Sequence, residues 1–142
     1  MATMSVLLRT LPDTEAAVGR SGTHTIVVDR PAGKAGGQGL GFNGGELLAL
    51  AIGGCLCNDL QYVAHEMGVA LASIAVDVEV TFEGTPVLAT SASVTVDVSA
   101  RDQDADIDEV VRKAIASSTV SNSIQRGVAV RTSVRLSPER GA

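Results

Sequence analysis

The stretch from Glu46 to Met67, ELLALAIGGCLCNDLQYVAHEM, constrains the fold more than any other part of the chain. It contains no proline, it is rich in helix-favouring Leu and Ala, and it runs into Gly68, a residue that accepts the left-handed conformation at a helix C-terminus without penalty. Leu47, Leu48, Leu50, Ile52 and Leu56 point to all sides of such a helix. A helix of that kind is predicted to be buried on nearly every face. A chain of 142 residues is long enough for one domain with a real core, so residues 1–142 are read as a single domain. The helix is nevertheless more apolar than one such domain easily hides, and a homodimer that covers the remainder is expected.

Strands surround this helix in sequence. Val6 to Leu8 and Thr23 to Asp29 read as strands, Glu15 to Val18 as a weaker third, with turns at Pro12-Asp13 and Ser21-Gly22. Residues 31–45, PAGKAGGQGLGFNGG, are too glycine-rich for regular structure. After the helix, Val76, Val78 and Val80 alternate with polar residues, as do Val94, Val96 and Val98, and Glu83-Gly84-Thr85-Pro86 makes the turn of a hairpin. Asp106, with Glu109 three residues on, caps a second helix whose Ile107, Val110, Val111, Ala114 and Ile115 form one apolar face. A short helical piece to Arg126 follows, then Gly127. A final strand is predicted with Val128, Val130, Val134 and Leu136 on one face and Arg131 and Arg135 on the other. The order, with no internal repeat, is that of an α+β fold.

Charge and composition exclude several classes of function. The net charge is −5 and no cluster of Lys or Arg is present, so neither a nucleic acid nor an anionic membrane is an expected partner. Phe42, Tyr62 and Phe82 are too few for recognition by base stacking. The N-terminal residues show no basic stretch followed by a sustained apolar run, so no signal peptide or membrane span is expected. The glycine-rich segment lacks the GxxxxGK[ST] pattern of a phosphate loop. His24 and His65 are isolated from the Cys55 and Cys57 pair, so no metal site and no cofactor are expected. Cys55 and Cys57 point about 200° apart on a helix and should not bond each other there. Two free thiols and no disulfide framework suit a reducing cytoplasm.

Cys55 is the candidate for chemistry. A buried helical cysteine is most often a small hydrophobe. Here Gly53 and Gly54 precede it, each weakening a helix by roughly 1 kcal/mol relative to Ala, a cost that makes sense where another group must come close. In GFNGGELLALAIGGCLCND the chain resembles the OsmC-like family, the osmotically inducible and organic hydroperoxide resistance proteins. Members carry a pattern close to S-P-x-E-L-L-x-x-A-x-G-G-C on a long helix buried in an intertwined dimer. Glu46-Leu47-Leu48, Ala51, Gly53-Gly54-Cys55 and Asp59 match it, and the resemblance extends over nearly the whole chain.

The resemblance implies an OsmC-like fold, with antiparallel sheets packed around the central helix, and a thiol-dependent peroxidase. Cys55 would attack an organic hydroperoxide, Glu46 would be the carboxylate of the site, and Arg20 the guanidinium that favours a thiolate. Plainer roles exist for the last two: Glu46 suits the first turn of any helix, and Arg20 suits a solvated turn. Asn58 and Asp59 have the plain reading of satisfying buried polar groups, and His65, about 15 Å along the helix from Cys55, is too far to be its base. The chain departs from the pattern at three places. Gly44 replaces the usual proline, Glu46 falls two positions after it where the hydroperoxide resistance branch has one, and Ser118 stands where the peroxidases have a resolving cysteine. The implied activity is therefore a one-cysteine variant that needs an external thiol reductant. The alternative is a non-catalytic protein of this fold that binds a small hydrophobic ligand or serves as a stress-related dimer.

Overall fold

The computed structural model describes residues 1–138. Three antiparallel strands, β1 (Leu7–Thr10), β2 (Ala17–Ser21) and β3 (His24–Val28), form a meander in chain order. Leu7 lies opposite Arg20, and Arg20 in turn opposite Thr25. The weak third strand expected over 15–18 is displaced to Ala17–Ser21 because the residues before it are used in a turn. The Leu11 N–H donates to the Ala16 carbonyl at 2.9 Å, while the Thr14 hydroxyl donates to the Leu11 carbonyl and accepts from the Ala16 N–H.

The glycine-rich segment is a loop, as its composition implies, but a tightly held one. The buried Asp29 carboxylate accepts from the backbone N–H of Arg30 at 2.8 Å, Gln38 at 3.0 Å and Leu40 at 3.1 Å. These bonds, that from Leu40 foremost, then those from Gln38 and Arg30, hold the Asp29 carboxyl below its ordinary pKa against the opposing effect of burial. Phe42 then bridges to Val28. A Cβ on Gly41 would collide with the Val27 carbonyl, so only glycine lets the returning chain approach β3 so closely.

Helix α1 (Gly44–Met67) begins two residues before the expected Glu46. The reason is a capping box: the Asn43 side chain accepts from the Glu46 N–H at 2.9 Å and Glu46 accepts from the Asn43 N–H at 3.1 Å. Gly68, at φ 67°, closes it. The helix buries one stripe, Ile52, Leu56, Leu60, Val63 and Ala64. Val110 and Ala114 pack with that stripe, and Ile74, Val76, Val96 and Val98 lie against the same cluster. The expectation of burial on nearly every side is not met within one chain: Leu50 is 49% and Tyr62 70% exposed, and Ala51 and Gly54 are open. The hairpin and second helix cover a single flank, and nothing among the described residues covers the opposite one. By length and hydropathy α1 would suffice to cross a bilayer, yet its apolar stripe is spent on α2 and the hairpin, which is how a core helix is used.

The hairpin consists of β4 (Leu71–Glu83) and β5 (Leu88–Ala100), with Ile74 opposite Val98, Val76 opposite Val96 and Val78 opposite Val94. The alternation predicted for it holds and the strands extend further at both ends. Helix α2 (Ile107–Ser117) starts at Asp106, whose side chain accepts from the Glu109 N–H at 3.1 Å. Its successor α3 (Thr119–Arg126) is short. The predicted final strand is absent: described residues 127–138 are neither helix nor strand, and Val130 and Leu136 are 85% and 90% exposed. Alternation states what a segment can do once paired. A strand also needs a ladder partner, and among the described residues the segment has none.

Candidate functional site

Cys55 lies just beside the buried stripe of α1, half-buried, with a free thiol. Its Sγ donates to Asp59 Oδ2 at 3.4 Å. Residues four apart stack on one helix face, so the pairing follows directly from the sequence spacing. Gly54 presents open space where a Cβ would be, whereas a Cβ on Gly53 would come within 3.0 Å of Val78 Cγ2. The two glycines therefore serve different ends. Gly53 lets the helix settle on β4, and Gly54 keeps the helix surface clear on the side of Cys57.

Cys57 occupies the other flank, as the i,i+2 geometry requires. It lines a groove of about 310 Å³ with Phe42, Glu46, Ala49, Leu50, Gly53, Gly54, Val76 and Val78. That groove continues toward the helix N-terminus as a cavity of about 480 Å³ between Asn43, Glu46, Val80 and Phe82. Glu46 borders both, and its carboxylate is engaged in the capping box. The nine positions from Glu46 to Cys55 turn the helix through about 900°, so the two side chains leave opposite faces about 13 Å apart along the axis. Within one chain Glu46 is on the side of Cys57 and not of Cys55.

Arg20 is exposed on β2, in the N-terminal meander, and among the described residues its side chain makes no hydrogen bond or ion pair. The structure does not bring it to Cys55 within one chain. Ser118 is 2% exposed, joins α2 to α3, and has a hydroxyl with no hydrogen-bond partner among the described residues. It follows Val110 and Ala114 at four-residue steps, so it continues the line that packs on α1. Among the described residues no group of three or more His, Cys, Asp or Glu is gathered closely enough to hold a metal ion. Sequence reasoning gave Asp59 a match to the family motif and the plain role of satisfying buried polar groups, without pairing it with Cys55. The signal that would have found the pairing was its i+4 spacing from Cys55.

A family model described as OsmC-like protein matches residues 36–133. A comparison with curated proteins found no match. Among solved structures, the fold is similar to an OsmC-like protein from Mycoplasma pneumoniae, with a TM-score of 0.71 and 14% identity over 87% of this chain and 88% of that one. It is also similar to an organic hydroperoxide resistance protein from Legionella pneumophila, with a TM-score of 0.60 and 20% identity over 88% and 90% of the two chains. The organic hydroperoxide resistance protein of Bacillus subtilis gives 0.58 and 22%, over 87% and 91%.

Proposed function

Because the chain belongs to the OsmC-like protein family, we propose that it is a thiol-dependent peroxidase that reduces organic hydroperoxides through Cys55 and relies on an external thiol to complete each cycle. The observation that carries this reading is the placement of Cys55: at the Gly-Gly-Cys of the family motif, half-buried, and hydrogen-bonded to a carboxylate. The sulfur attacks the O–O bond, an alcohol leaves, and Cys55 becomes a sulfenic acid. Two equivalents of external thiol return it to the thiol and yield a disulfide and water. Ser118 occupies the position that the resemblance gives to a resolving cysteine, and a serine hydroxyl forms no disulfide.

The reading includes a homodimer and a cytoplasmic setting. Two observations support the dimer: the uncovered face of α1 at Leu50, Ala51 and Gly54, and the exposed Val128, Val130, Val134 and Leu136, which alternate as a strand does. A second copy is also what the assignment of Glu46 and Arg20 to the site requires, since in one chain neither reaches the sulfur. Two free thiols in a chain without disulfides are consistent with a reducing compartment.

The test is the decay of cumene or tert-butyl hydroperoxide with dithiothreitol or dihydrolipoamide as reductant. Wild type should turn over, and a rate no faster than that of Cys55→Ser would end the proposal. Ser118→Cys should restore a resolving thiol, and treatment with hydroperoxide should then join the introduced sulfur to Cys55 in a disulfide, seen as a loss of two mass units. A second reading, binding of a small hydrophobic ligand without turnover, is favoured by the apolar groove at Cys57. Its mark would be a thermal shift with lipophilic compounds that Cys55→Ser leaves unchanged.

A further inference from the structure

We propose that Asp59 is the proton carrier of the Cys55 reaction: it takes the thiol proton as sulfur attacks and returns it to the departing alkoxide. The inference rests on the peroxidase reading and names the residue that would make a lone thiol effective there. Asp59 Oδ2 is the acceptor for the Cys55 Sγ–H at 3.4 Å. No other titratable side chain among the described residues is hydrogen-bonded to that sulfur: Glu46 leaves the opposite face of the helix, His65 lies ten positions on, and Arg20 sits on β2.

The surroundings suit the task. Asp59 is half-buried, and no cation pairs with its carboxylate among the described residues. It is one position from the fully buried Leu60 and three from Leu56, so the apolar stripe of α1 limits water on one side of the pair. Asn58 and Tyr62 on the other side are exposed, and a substrate can approach there. Where no cation accompanies them, as among the described residues of one chain, a standing thiolate next to a carboxylate is an unfavourable resting arrangement because the two charges repel. A coupled transfer avoids it. As the S–O bond forms and the O–O bond breaks, the negative charge passes from sulfur to the leaving oxygen while the proton passes from sulfur to Asp59. The carboxylic acid so formed protonates the alkoxide, giving Cys55 sulfenic acid, the alcohol and a regenerated carboxylate. Atoms and charge balance with the hydroperoxide as the sole oxidant.

The leaving group provides the test. An alkyl hydroperoxide expels a strongly basic alkoxide that needs a proton, whereas a peroxy acid expels a carboxylate that does not. Asp59→Asn keeps the shape and an acceptor oxygen but cannot carry the proton, and Asp59→Glu keeps the carboxylate. With tert-butyl hydroperoxide, Asp59→Asn should lower the rate of Cys55 oxidation by roughly 100-fold, the scale of general acid–base catalysis, and Asp59→Glu should recover part of it. With peracetic acid the same Asp59→Asn protein should lose clearly less, since only the removal of the thiol proton is then affected and the leaving carboxylate needs no proton. Its activity there also shows that it is folded. Equal losses with both oxidants would overturn the proton-carrier role, since no proton would then be returned to the leaving group, and so would an unchanged rate with the alkyl hydroperoxide. If wild type itself reduces tert-butyl hydroperoxide no faster than Cys55→Ser, the peroxidase reading fails and this role fails with it, an outcome distinct from an active wild type that tolerates Asp59→Asn.

Discussion

The two flanks of the buried stripe on α1 are built from residues only two positions apart in sequence, yet they offer opposite kinds of environment. On the Cys55 flank the sulfur has a carboxylate partner at 3.4 Å, with the exposed Asn58 and Tyr62 beside it. On the Cys57 flank there is a groove of about 310 Å³, lined mainly by apolar side chains, with Glu46 at its edge. The groove therefore belongs to the sulfur that the family motif does not select. A hydrophobic pocket is a default guide to a binding site, but reactivity at a thiol depends on where its proton can go, and on this helix the two properties are separated by about 200° of rotation.

The largest expected effect is on turnover. Cys55→Ser should lower hydroperoxide reduction by more than about 100-fold, because it removes the nucleophile outright. Cys57→Ser should change it by less than about threefold, since it removes a side chain from the groove and from no reacting atom. Steady-state assays of the two variants side by side would invert the comparison if the Cys57 protein were the inactive one. In that case the groove would be the site of chemistry.

A smaller effect is expected on stability, and it bears on what covers the Cys57 flank. Leu60 is fully buried beneath both flanks, and Leu60→Ala should cost about 2–5 kcal/mol in denaturant unfolding. Leu50, at the edge of the groove and 49% exposed, should cost less than about 1 kcal/mol on truncation if the flank is bare. A cost at Leu50 near that at Leu60, and dependent on protein concentration, would mean that a second copy fills this side.

The glycines sharpen the same comparison. At Gly54 an added methyl meets open space, so Gly54→Ala should stabilise the protein by up to about 0.8–1 kcal/mol through helix propensity. At Gly53 the methyl would come within 3.0 Å of Val78 Cγ2, and the same gain should be largely offset. Thermal denaturation of both variants reads this difference. A destabilising Gly54→Ala would place another backbone or side chain against that surface in the assembled protein.

What the sequence conveyed depended on the range of the interaction. Helices α1 and α2 and the β4–β5 hairpin were legible because each is marked by its own periodicity. The start of α1 was legible in principle, since Asn43 with Glu46 three positions on is a capping-box signature, and that pairing gives Glu46 a structural duty within its own chain. Asp59 was equally within reach, four positions from Cys55. The final strand was misjudged because alternation at Val128, Val130, Val134 and Leu136 describes one strand and is silent about its partner. The Asp29 clamp could not be read at all: its donors, the N–H groups of Gln38 and Leu40, come from across a loop whose path no local rule specifies.

That clamp supports the smallest of the predicted effects, and it tests how firmly the loop that carries Phe42 to the groove is held. The Asp29 carboxyl sits below its ordinary value of 3.8 in the folded chain, through the N–H groups of Leu40, Gln38 and Arg30. A depressed folded-state value means that the ionised group stabilises the fold at pH above its unfolded value, and that this contribution disappears as the pH falls through the lower folded one. Asp29→Asn retains an acceptor oxygen but not the charge. It should lower the Tm by a few degrees at neutral pH, and the difference from wild type should shrink only below about pH 3.8. Because Phe42 leaves this loop to line the groove beside Cys57, the same substitution should raise amide exchange at residues 38–42 and leave exchange around Cys55 unchanged. Equal loosening of both regions would show that the two flanks of α1 are mechanically one.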